Sequence, residues 1–233
     1  MARVGHARPA TYPRSDFLST FMAASPAPTT LLLVRHGVTA STGKVLPGRA
    51  PGLHLSPAGV AQAQTVADRL ATLTKAPSAL YASPLERTRE TAAPIGRALG
   101  QKVIIDKGLL ECDFGDWTGA SLASLRKKKE WNAVQHAPST FRFPKGESFA
   151  EMQTRMWSTL QKLAERHPGE VVVVVSHADP IKAAVTWAQG VPLDLFQRTV
   201  ISTCSVSALL LGAGSPIVLS VNNTASLQEL SPA

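Results

Sequence analysis

The feature that most constrains the fold is a run of five consecutive valines, Val171–Val175, in the string "EVVVVVSH". Valine is β-branched and favours extended backbone, so the run predicts a strand. Successive side chains of a strand point to opposite faces, and here both faces are apolar. Because parallel sheets are covered on both sides by helices, such a strand is typical of their interior. The sequence therefore predicts an α/β fold.

Further strands and helices alternate along the chain. Ser56-Pro57 and Ser83-Pro84 each combine an N-cap serine with proline at the first helical position, so each predicts the start of a helix. This alternation predicts a three-layer α/β/α architecture with a mostly parallel central sheet. The predicted strands are Leu31–Val34, Ala79–Ala82, Val103–Ile105, 203–211 and 216–221, and the predicted helices are 57–74, 84–99, 121–132, 146–167 and 180–189.

Apolar side chains at helical spacing predict the buried faces of two of these helices. The first helix carries such a row, and the helix after "GES" carries a second row of larger side chains. The rows are Val60, Ala63, Ala67, Leu70 and Leu73, and Phe149, Met152, Met156, Leu160 and Leu163.

The 233 residues suit one α/β domain, which we place at 29–233. Residues 1–28 are arginine-rich and acid-poor, and we interpret them as a flexible extension rather than an organelle transit peptide. Translation could begin at Met1 or at Met22. Only Cys112 and Cys204 are cysteines, which excludes a disulfide scaffold and favours a reducing compartment, so we expect a cytoplasmic protein.

The net charge of +8 is compatible with anionic substrates. Part of the charge lies in "RKKK", Arg126–Lys129, which we interpret as a solvated helix face because no nucleic-acid-binding motif accompanies it. No apolar run approaches the roughly 20 residues that span a bilayer. We therefore expect neither a nucleic-acid partner nor a membrane partner.

Two histidines stand where apolar strands end. His36 follows "LLLVR" and His177 follows "VVVVVS". Ligands of open parallel sheets bind at the carboxyl ends of the strands, so neighbouring strands would bring these two side chains together. Arg35 lies beside His36, and Arg87 lies one turn into a helix that follows a strand. Guanidinium groups and helix N-termini both bind phosphate, so the sequence predicts a phosphate pocket here, whereas Arg89 and Arg97 are expected on the surface.

The strings "LLLVRHG", "SPLERTRETA", "LLECDFGDWTG" and "VVVVVSHADPIKA", in this order, resemble the histidine phosphatase superfamily in its phosphoglycerate-mutase-like branch. Other segments are similar to a subgroup of actinobacterial phosphatases described as phosphomutase-like. The resemblance covers about 29–228. It implies a phosphoglycerate-mutase-like fold and an enzyme that needs neither a metal nor another cofactor.

The resemblance also implies a role for each matching residue. His36 would be the nucleophile that forms a phosphohistidine. Arg35, Arg87 and His177 would bind the phosphoryl oxygens. Glu111 would protonate the leaving alcohol and then activate water.

The acid is the least certain of these assignments. Asp113, Asp116 and Glu147 are alternatives, and Glu147 could instead complement the start of its helix. Glu111 is preferred because it precedes "FGDWTG" in the manner of the family. Cys112 is expected to be a packing residue.

One stretch departs from the family. Many relatives read R-H-G-E-T-x-x-N, whereas this chain reads R-H-G-V-T-A-S-T, so Thr42 stands in place of a phosphate-binding asparagine. Its hydroxyl could donate one hydrogen bond to phosphate. Arg49 is a further candidate for contact with the substrate, and Trp131 and Phe141 are expected to pack rather than to bind.

A compact segment at about 112–147, which we call the cap segment, separates the acid from the second histidine. Phosphoglycerate mutases that depend on a cofactor carry a longer insertion here, so the resemblance favours a phosphomonoesterase acting on small phosphorylated metabolites. A phosphomutase and a non-catalytic module that binds phosphorylated ligands remain the alternatives. The substrate and the oligomeric state stay open, with a homodimer as the assembly that the resemblance suggests.

Overall fold

The computed structural model describes residues 26–225. The predicted extension at 1–28 therefore lies outside the described residues except for its last three positions. Six strands form one sheet in the order β3-β2-β4-β1-β5-β6. They are β1 (Thr29–Arg35), β2 (Ala79–Ala82), β3 (Val103–Ile105), β4 (Val171–Ser176), β5 (Val206–Leu211) and β6 (Ile217–Asn223).

The sheet is mostly parallel, as predicted. Strands β1, β4, β2 and β3 run parallel to one another, and β5 is antiparallel to its neighbours β1 and β6. The valine strand β4 lies inside the sheet between β2 and β1, and all five valines are at most 3% exposed. Burial on both faces explains why the strand is apolar throughout.

Helices cover both faces of the sheet. Helices α1 (Pro57–Ala71) and α2 (Glu86–Leu99) lie on one face, where they pack against alternate side chains of β1 and β4 such as Leu32 and Val173. Helices α5 (Phe149–Arg166) and α6 (Ala178–Ala188) lie on the other face and pack against Leu33 and Val174. The three-layer α/β/α prediction is confirmed.

The predicted faces of the helices are largely confirmed. All five large apolar residues predicted for the buried face of α5 are buried. In α1, however, Val60 is 58% exposed and Val66 is buried in its place, so the prediction for Val60 is wrong. The buried row of α1 begins at Gly59, where the backbone of the helix closely approaches the loop after β1. That approach turns the Val60 side chain to solvent.

The start of α2 also differs from the prediction. The helix begins at Glu86 with Leu85 at its N-cap position, so Ser83 does not cap it. The Ser83 hydroxyl instead lies 2.8 Å from Nε2 of His177. A side chain predicted to have a local role is therefore used in a contact between distant parts of the chain.

The predicted helix at 121–132 is two short helices, α3 (Leu122–Leu125) and α4 (Trp131–His136). They belong to the cap segment, whose core is a group of aromatic rings in edge-to-face or tilted contact. Phe141 packs against Trp117 and Phe143, with ring centroids 5.4 and 5.0 Å away, as the packing expectation required. Within residues 26–225, none of the helices is long and apolar enough to span a membrane.

Candidate active site

The two histidines meet at the carboxyl end of the sheet. Strands β1 and β4 are direct neighbours, and their register pairs Arg35 with Ser176, the last residue of each strand. A histidine follows each of these two residues. The ring centroids of His36 and His177 are 5.3 Å apart. The predicted convergence is therefore observed.

A close approach between backbones fixes the loop that carries His36. A side chain at Gly37 would place its Cβ 2.6 Å from the carbonyl oxygen of Gly59 in α1. The amide of Gly37 donates to the Thr91 hydroxyl of α2 at 3.0 Å. The glycine of "RHG" is therefore required by packing against α1, and α2 holds the same residue through a hydrogen bond.

Hydrogen bonds determine which nitrogen of His36 can react. Nδ1 lies 2.8 Å from the carbonyl oxygen of Gly37, and a carbonyl only accepts, so Nδ1 carries the proton. Nε2 is left with its lone pair and accepts from Nε of Arg87 at 3.3 Å. Arg87 is itself fully buried and donates from Nη2 to the carbonyl of Gly48 at 2.9 Å.

Arg35, His36, Arg87 and His177 form what we call the inner pocket. Arg35 donates from Nη1 to the carbonyl of Ile201 at 2.6 Å. Three buried nitrogens of the inner pocket have no hydrogen-bond partner within the described part of the chain: Nε of Arg35, Nη1 of Arg87 and Nδ1 of His177. Unpaired buried polar groups are costly, so these nitrogens indicate a binding site, and the two guanidinium donors favour a ligand rich in acceptors.

The inner pocket carries its positive charge on the arginines. Burial and the neighbouring charges of Arg87 and Arg35 lower the pKa of His36 to about 3. Burial and Arg87 also lower the pKa of His177 well below the ordinary value for histidine. Both imidazoles are therefore neutral at physiological pH, which leaves Nε2 of His36 available as a nucleophile.

Glu111 is the acid that the structure brings to the same place. Its side chain is only 7% exposed, and its Oε1 accepts from the amide of Cys112 at 2.9 Å. Burial and the negative charge of Asp179 raise the pKa of Glu111 to about 7, against the opposing influence of Arg87 and Arg35. A carboxyl group with a pKa near 7 can both donate and accept a proton at neutral pH.

The alternative acids lie elsewhere. Glu147 binds Arg155 of α5 through two contacts of 2.9 Å, and Asp116 forms an exposed ion pair with Lys145 at 3.3 Å. Asp113 lies 3.6 Å from Arg49. None of these three acids lines the cavity described below.

Arg49 does not line this cavity either. Its Nε donates to the backbone carbonyl of Glu111 at 2.8 Å, and its Nη2 lies 2.8 Å from Glu147. Arg155 donates to the same carbonyl at 3.3 Å. The two arginines therefore fix the backbone from which the Glu111 side chain projects. Cys112 is buried, as expected, and burial raises the pKa of its thiol.

A cavity of about 460 Å³ opens above Arg35, His36 and Glu111. Thr42 lines it, and its hydroxyl accepts from the amide of Thr39 at 2.9 Å. The opposite side of the cavity consists of residues from the cap segment, α6 and the loop before β5. These include Leu122, Arg126, Trp131, Val134, Gln135, Phe143, Asp179, Lys182, Gln197 and Val200.

Two of these residues add to the sequence-based interpretation. Trp131 packs against Trp117, with ring centroids 6.4 Å apart, as expected, and it also lines the cavity. Residues Arg126–Lys129 are exposed, as predicted, but they lie in the turns between α3 and α4, so the prediction that they form a helix face is wrong. Arg126 also lines the cavity. Arg89 and Arg97 are on the surface, as predicted.

Sequence reasoning missed several residues that support the site. Ser83 contacts His177, Thr91 holds Gly37, and Arg155 holds the backbone around Glu111. Asp179 lines the cavity beside the catalytic candidates. Its position two residues after the strand-end histidine was the available signal. Among residues 26–225, no group of three or more His, Cys, Asp or Glu side chains is placed to hold a metal ion.

Comparison with known proteins agrees with this geometry. The chain is 31% identical over 204 residues to Phosphoserine phosphatase 1 of Hydrogenobacter thermophilus, a match that covers 85% of this chain and 94% of that protein. The solved structure of Bacillus stearothermophilus YhfR superposes with a TM-score of 0.78 at 26% identity, covering 84% of this chain and 98% of that one.

A second solved structure is phosphoserine phosphatase from Entamoeba histolytica in complex with 3-phosphoglyceric acid. It superposes with a TM-score of 0.75 at 25% identity, and covers 84% of this chain and 98% of the other. The sequence profile of the histidine phosphatase superfamily (branch 1) matches residues 31–224. The chain therefore belongs to the histidine phosphatase superfamily, with relatives of the phosphoglycerate-mutase-like kind.

Proposed function

We propose that this protein is a metal-independent phosphomonoesterase that hydrolyses small phosphorylated metabolites through a phosphohistidine on His36. The observation that carries the proposal is the neutral His36, whose Nε2 accepts from the buried Arg87 and which lines one cavity with Arg35 and with Glu111, a carboxyl group with a raised pKa. Nucleophile, charge stabilisation and proton donor are thus present in one cavity.

The inner pocket supplies the phosphate-binding step of this proposal. The unpaired donors of Arg35, Arg87 and His177 are suited to the three equatorial oxygens of a phosphoryl group. Fixed guanidinium groups would stabilise the charge that those oxygens carry in the transition state, as cations do in other phosphoryl-transfer enzymes. The Thr42 hydroxyl would contact the group from the loop after β1, since it lines the same cavity.

In the first step, Nε2 of His36 attacks phosphorus, the bond from phosphorus to the ester oxygen breaks, and protonated Glu111 gives its proton to the leaving alcohol. In the second step, the Glu111 carboxylate takes a proton from water while the water oxygen attacks phosphorus. The phosphorus–nitrogen bond breaks, inorganic phosphate leaves, and His36 and protonated Glu111 are restored. The pKa of about 7 suits both roles of Glu111.

A first experiment tests the class of reaction. We expect the purified protein to release inorganic phosphate from an aryl phosphate and from members of a panel of phosphorylated metabolites. The panel includes phosphoserine and 3-phosphoglycerate because the relatives named above act on or bind these compounds. His36→Ala should abolish turnover, with a loss of roughly 10⁴-fold or more. Wild-type turnover by this variant would contradict the proposal.

The same panel separates the alternatives. A mutase would interconvert phosphoglycerates in the presence of their bisphosphate cofactor without net release of phosphate. A non-catalytic binding module would bind phosphorylated compounds and turn over none of them.

A second experiment tests the acid. Glu111→Gln cannot protonate the leaving group, so alkyl phosphates should react much more slowly while activated aryl phosphates retain most of their first-step rate. Glu165→Gln is the matched control, because Glu165 is an exposed acid of α5 and does not line the cavity. Equal losses for both classes of ester with Glu111→Gln would contradict the assignment.

The proposal also includes a cytoplasmic enzyme that forms a homodimer. The edge strand β3 supports self-association, because Ile104 and Ile105 are 44% and 45% exposed there. Sedimentation of the full chain would report a dimer mass if this is so, and Ile104→Lys should return it to a monomer.

A further inference from the structure

A second carboxyl group lines the cavity of Glu111, and the mechanism above gives it no role. Asp179 lies in the first turn of α6, two residues after His177, and lines the cavity together with Arg35, His36 and Glu111. An acid in the first turn of a helix commonly serves only to stabilise the helix dipole. That role needs no position in a catalytic cavity, so the placement of Asp179 calls for a further explanation.

The surrounding contacts hold Asp179 in place. Its Oδ1 accepts from Nζ of Lys182 at 3.3 Å, and the same Nζ donates to Oε1 of Gln197 at 3.1 Å. The side chains of Asp179 and Lys182 are each 17% exposed. These contacts fix the carboxyl group of Asp179 at the wall of the cavity and place the ammonium group of Lys182 beside it.

The groups that face Glu111 come from several elements. Arg35 of β1 and Arg87 of α2 favour its ionised form, as does the amide of Cys112 that donates to its carboxylate. Among residues 26–225, Asp179 of α6 is the charged group that opposes ionisation.

Arg49 and Arg155 contact the backbone of Glu111, because both donate to its backbone carbonyl. The nearby histidines, His36 and His177, are neutral. Burial and Asp179 therefore favour the protonated Glu111 side chain, against the opposing influence of the two pocket arginines and the Cys112 amide.

We propose that Asp179 is a positioning residue that keeps the proton on Glu111 at neutral pH by like-charge repulsion within the cavity. Without Asp179, burial alone would oppose the influence of Arg35 and Arg87, so a smaller fraction of Glu111 would hold the proton that the leaving alcohol needs. The inference rests on the proposed function, since it assigns Asp179 a part in the acid step. It also makes a claim about Glu111 that holds independently of turnover.

The direct test is a ¹³C NMR titration of the Glu111 side-chain carboxyl in the full chain, with the resonance assigned by its loss in Glu111→Gln. In Asp179→Asn the midpoint should fall by about one pH unit, because a like charge has been removed. Asp179→Glu keeps the charge and should restore the midpoint toward wild type. Asp68→Asn is the matched control, because Asp68 is an exposed acid of α1 and loses the same charge.

Lys182→Met changes the same balance in the opposite direction. It leaves Asp179 in place without its neutralising partner, so the Glu111 midpoint should rise. This variant keeps the inference testable if Asp179→Asn does not fold. A midpoint that stays within about 0.3 pH units of wild type in every folded variant would overturn the inference.

The kinetic readout is the pH profile of kcat/KM. For an alkyl phosphate, which needs the acid, the basic limb of Asp179→Asn should move to lower pH. For an activated aryl phosphate, which does not need it, the limb should stay in place. A change of equal size for both esters would indicate a structural role and overturn the inference.

The failures of the inference and of the proposed function are distinguishable. A wild-type protein that hydrolyses nothing, with a Glu111 midpoint that still shifts in Asp179→Asn, would overturn the proposed function and uphold the electrostatic role of Asp179. Hydrolysis by the wild-type protein, together with a Glu111 midpoint that does not shift in Asp179→Asn, would uphold the proposed function and overturn the electrostatic role of Asp179.

Discussion

The inner pocket reaches the cavity through Arg35 and His36, while Arg87 and His177 lie behind them and do not line it. The cap segment lines the same cavity, and the two regions differ in how their polar side chains are placed. In the inner pocket, Arg87 and His177 are fully buried and keep donors without partners in the described structure. In the cap segment, charged side chains are exposed, as for Arg126, or paired, as for Asp116 with Lys145. The unpaired groups of the inner pocket are therefore available to a ligand but lower the stability of the folded protein. The exposed or paired charges of the cap segment cost little stability, so the residues there can be replaced more freely.

The difference assigns separate tasks to the two regions. Strand ends and the first turn of α2 hold the inner pocket within a packed core, where geometry is rigid. The cap segment is a loop with two short helices over an aromatic cluster, and such segments commonly carry specificity. We expect changes in the inner pocket to affect chemistry and stability, and changes in the cap segment to affect the choice of substrate.

After the loss of the nucleophile in His36→Ala, the largest effect is expected for Arg87→Ala. Loss of its guanidinium removes charge stabilisation at the phosphoryl oxygens, so kcat/KM should fall by roughly 10²- to 10³-fold. Arg89→Ala removes an exposed arginine from the same helix and should leave kcat/KM unchanged. Steady-state kinetics on an aryl phosphate would decide, with circular dichroism to confirm folding. A decrease in kcat/KM of less than tenfold would contradict the role of the inner pocket in phosphate binding.

Gly37→Ala tests how rigidly α1 fixes the inner pocket. The new Cβ would lie 2.6 Å from the carbonyl oxygen of Gly59, so we expect a loss of about 1–3 kcal/mol in the free energy of unfolding. Gly214→Ala is the control, since a Cβ there meets no atom within 4 Å. Urea unfolding measures both. Equal stability of the two variants would contradict the tight contact.

The buried neutral histidine predicts a dependence of stability on pH. The pKa of His36 is lowered to about 3 in the folded state, whereas in the unfolded chain it is about 6.5. The free energy of unfolding is therefore highest above pH 6.5 and decreases as the pH falls below that value, because the unfolded chain then binds a proton that the folded chain does not. Between pH 7 and pH 5 the loss should be about 2 kcal/mol.

Glu111 has the opposite sign over this range. Its pKa is raised, so its contribution to stability grows as the pH falls from 7 to 5. The comparison of His36→Asn with wild type therefore isolates the histidine, and urea unfolding at both pH values should show the variant losing less stability on acidification. His136→Asn alters an exposed histidine and is the control. Parallel loss in His36→Asn and wild type would show that His36 is not buried neutral.

The smallest effect is expected for Arg126→Ala in the cap segment. Arg126 lines the cavity but is exposed, so KM for substrates with an anionic leaving group should rise about two- to fivefold with little change in kcat. Lys127→Ala is the neighbouring control, since Lys127 does not line the cavity. A large drop in kcat would show that the cap segment takes part in chemistry. It would contradict the assignment of chemistry to the inner pocket and of substrate choice to the cap segment.

Much of the fold and the inner pocket could be predicted because the signals are local. Strand β4 is apolar on both faces, and His36 and His177 directly follow strands, so periodicity alone placed them at the same end of a sheet. The interpretation of Ser83 as a helix cap was wrong because a hydroxyl serves equally well as a cap or as a partner of a distant imidazole. The cap segment was harder to predict, since short helices over a cavity have no periodicity long enough to show which side faces in.

The sequence by itself determined the α/β layers and indicated the four polar residues of the inner pocket. Only the structure showed that β1 pairs with β4, the condition on which the meeting of the two histidines depended. Only the tertiary structure decided the proton positions and proton affinities. The tautomer of His36 depends on the Gly37 carbonyl, and the pKa of Glu111 depends on burial and on Asp179, which lies far away in the chain. Residue types fix which groups can react, but burial and the distances between charges set their protonation, and these quantities exist only in the folded chain.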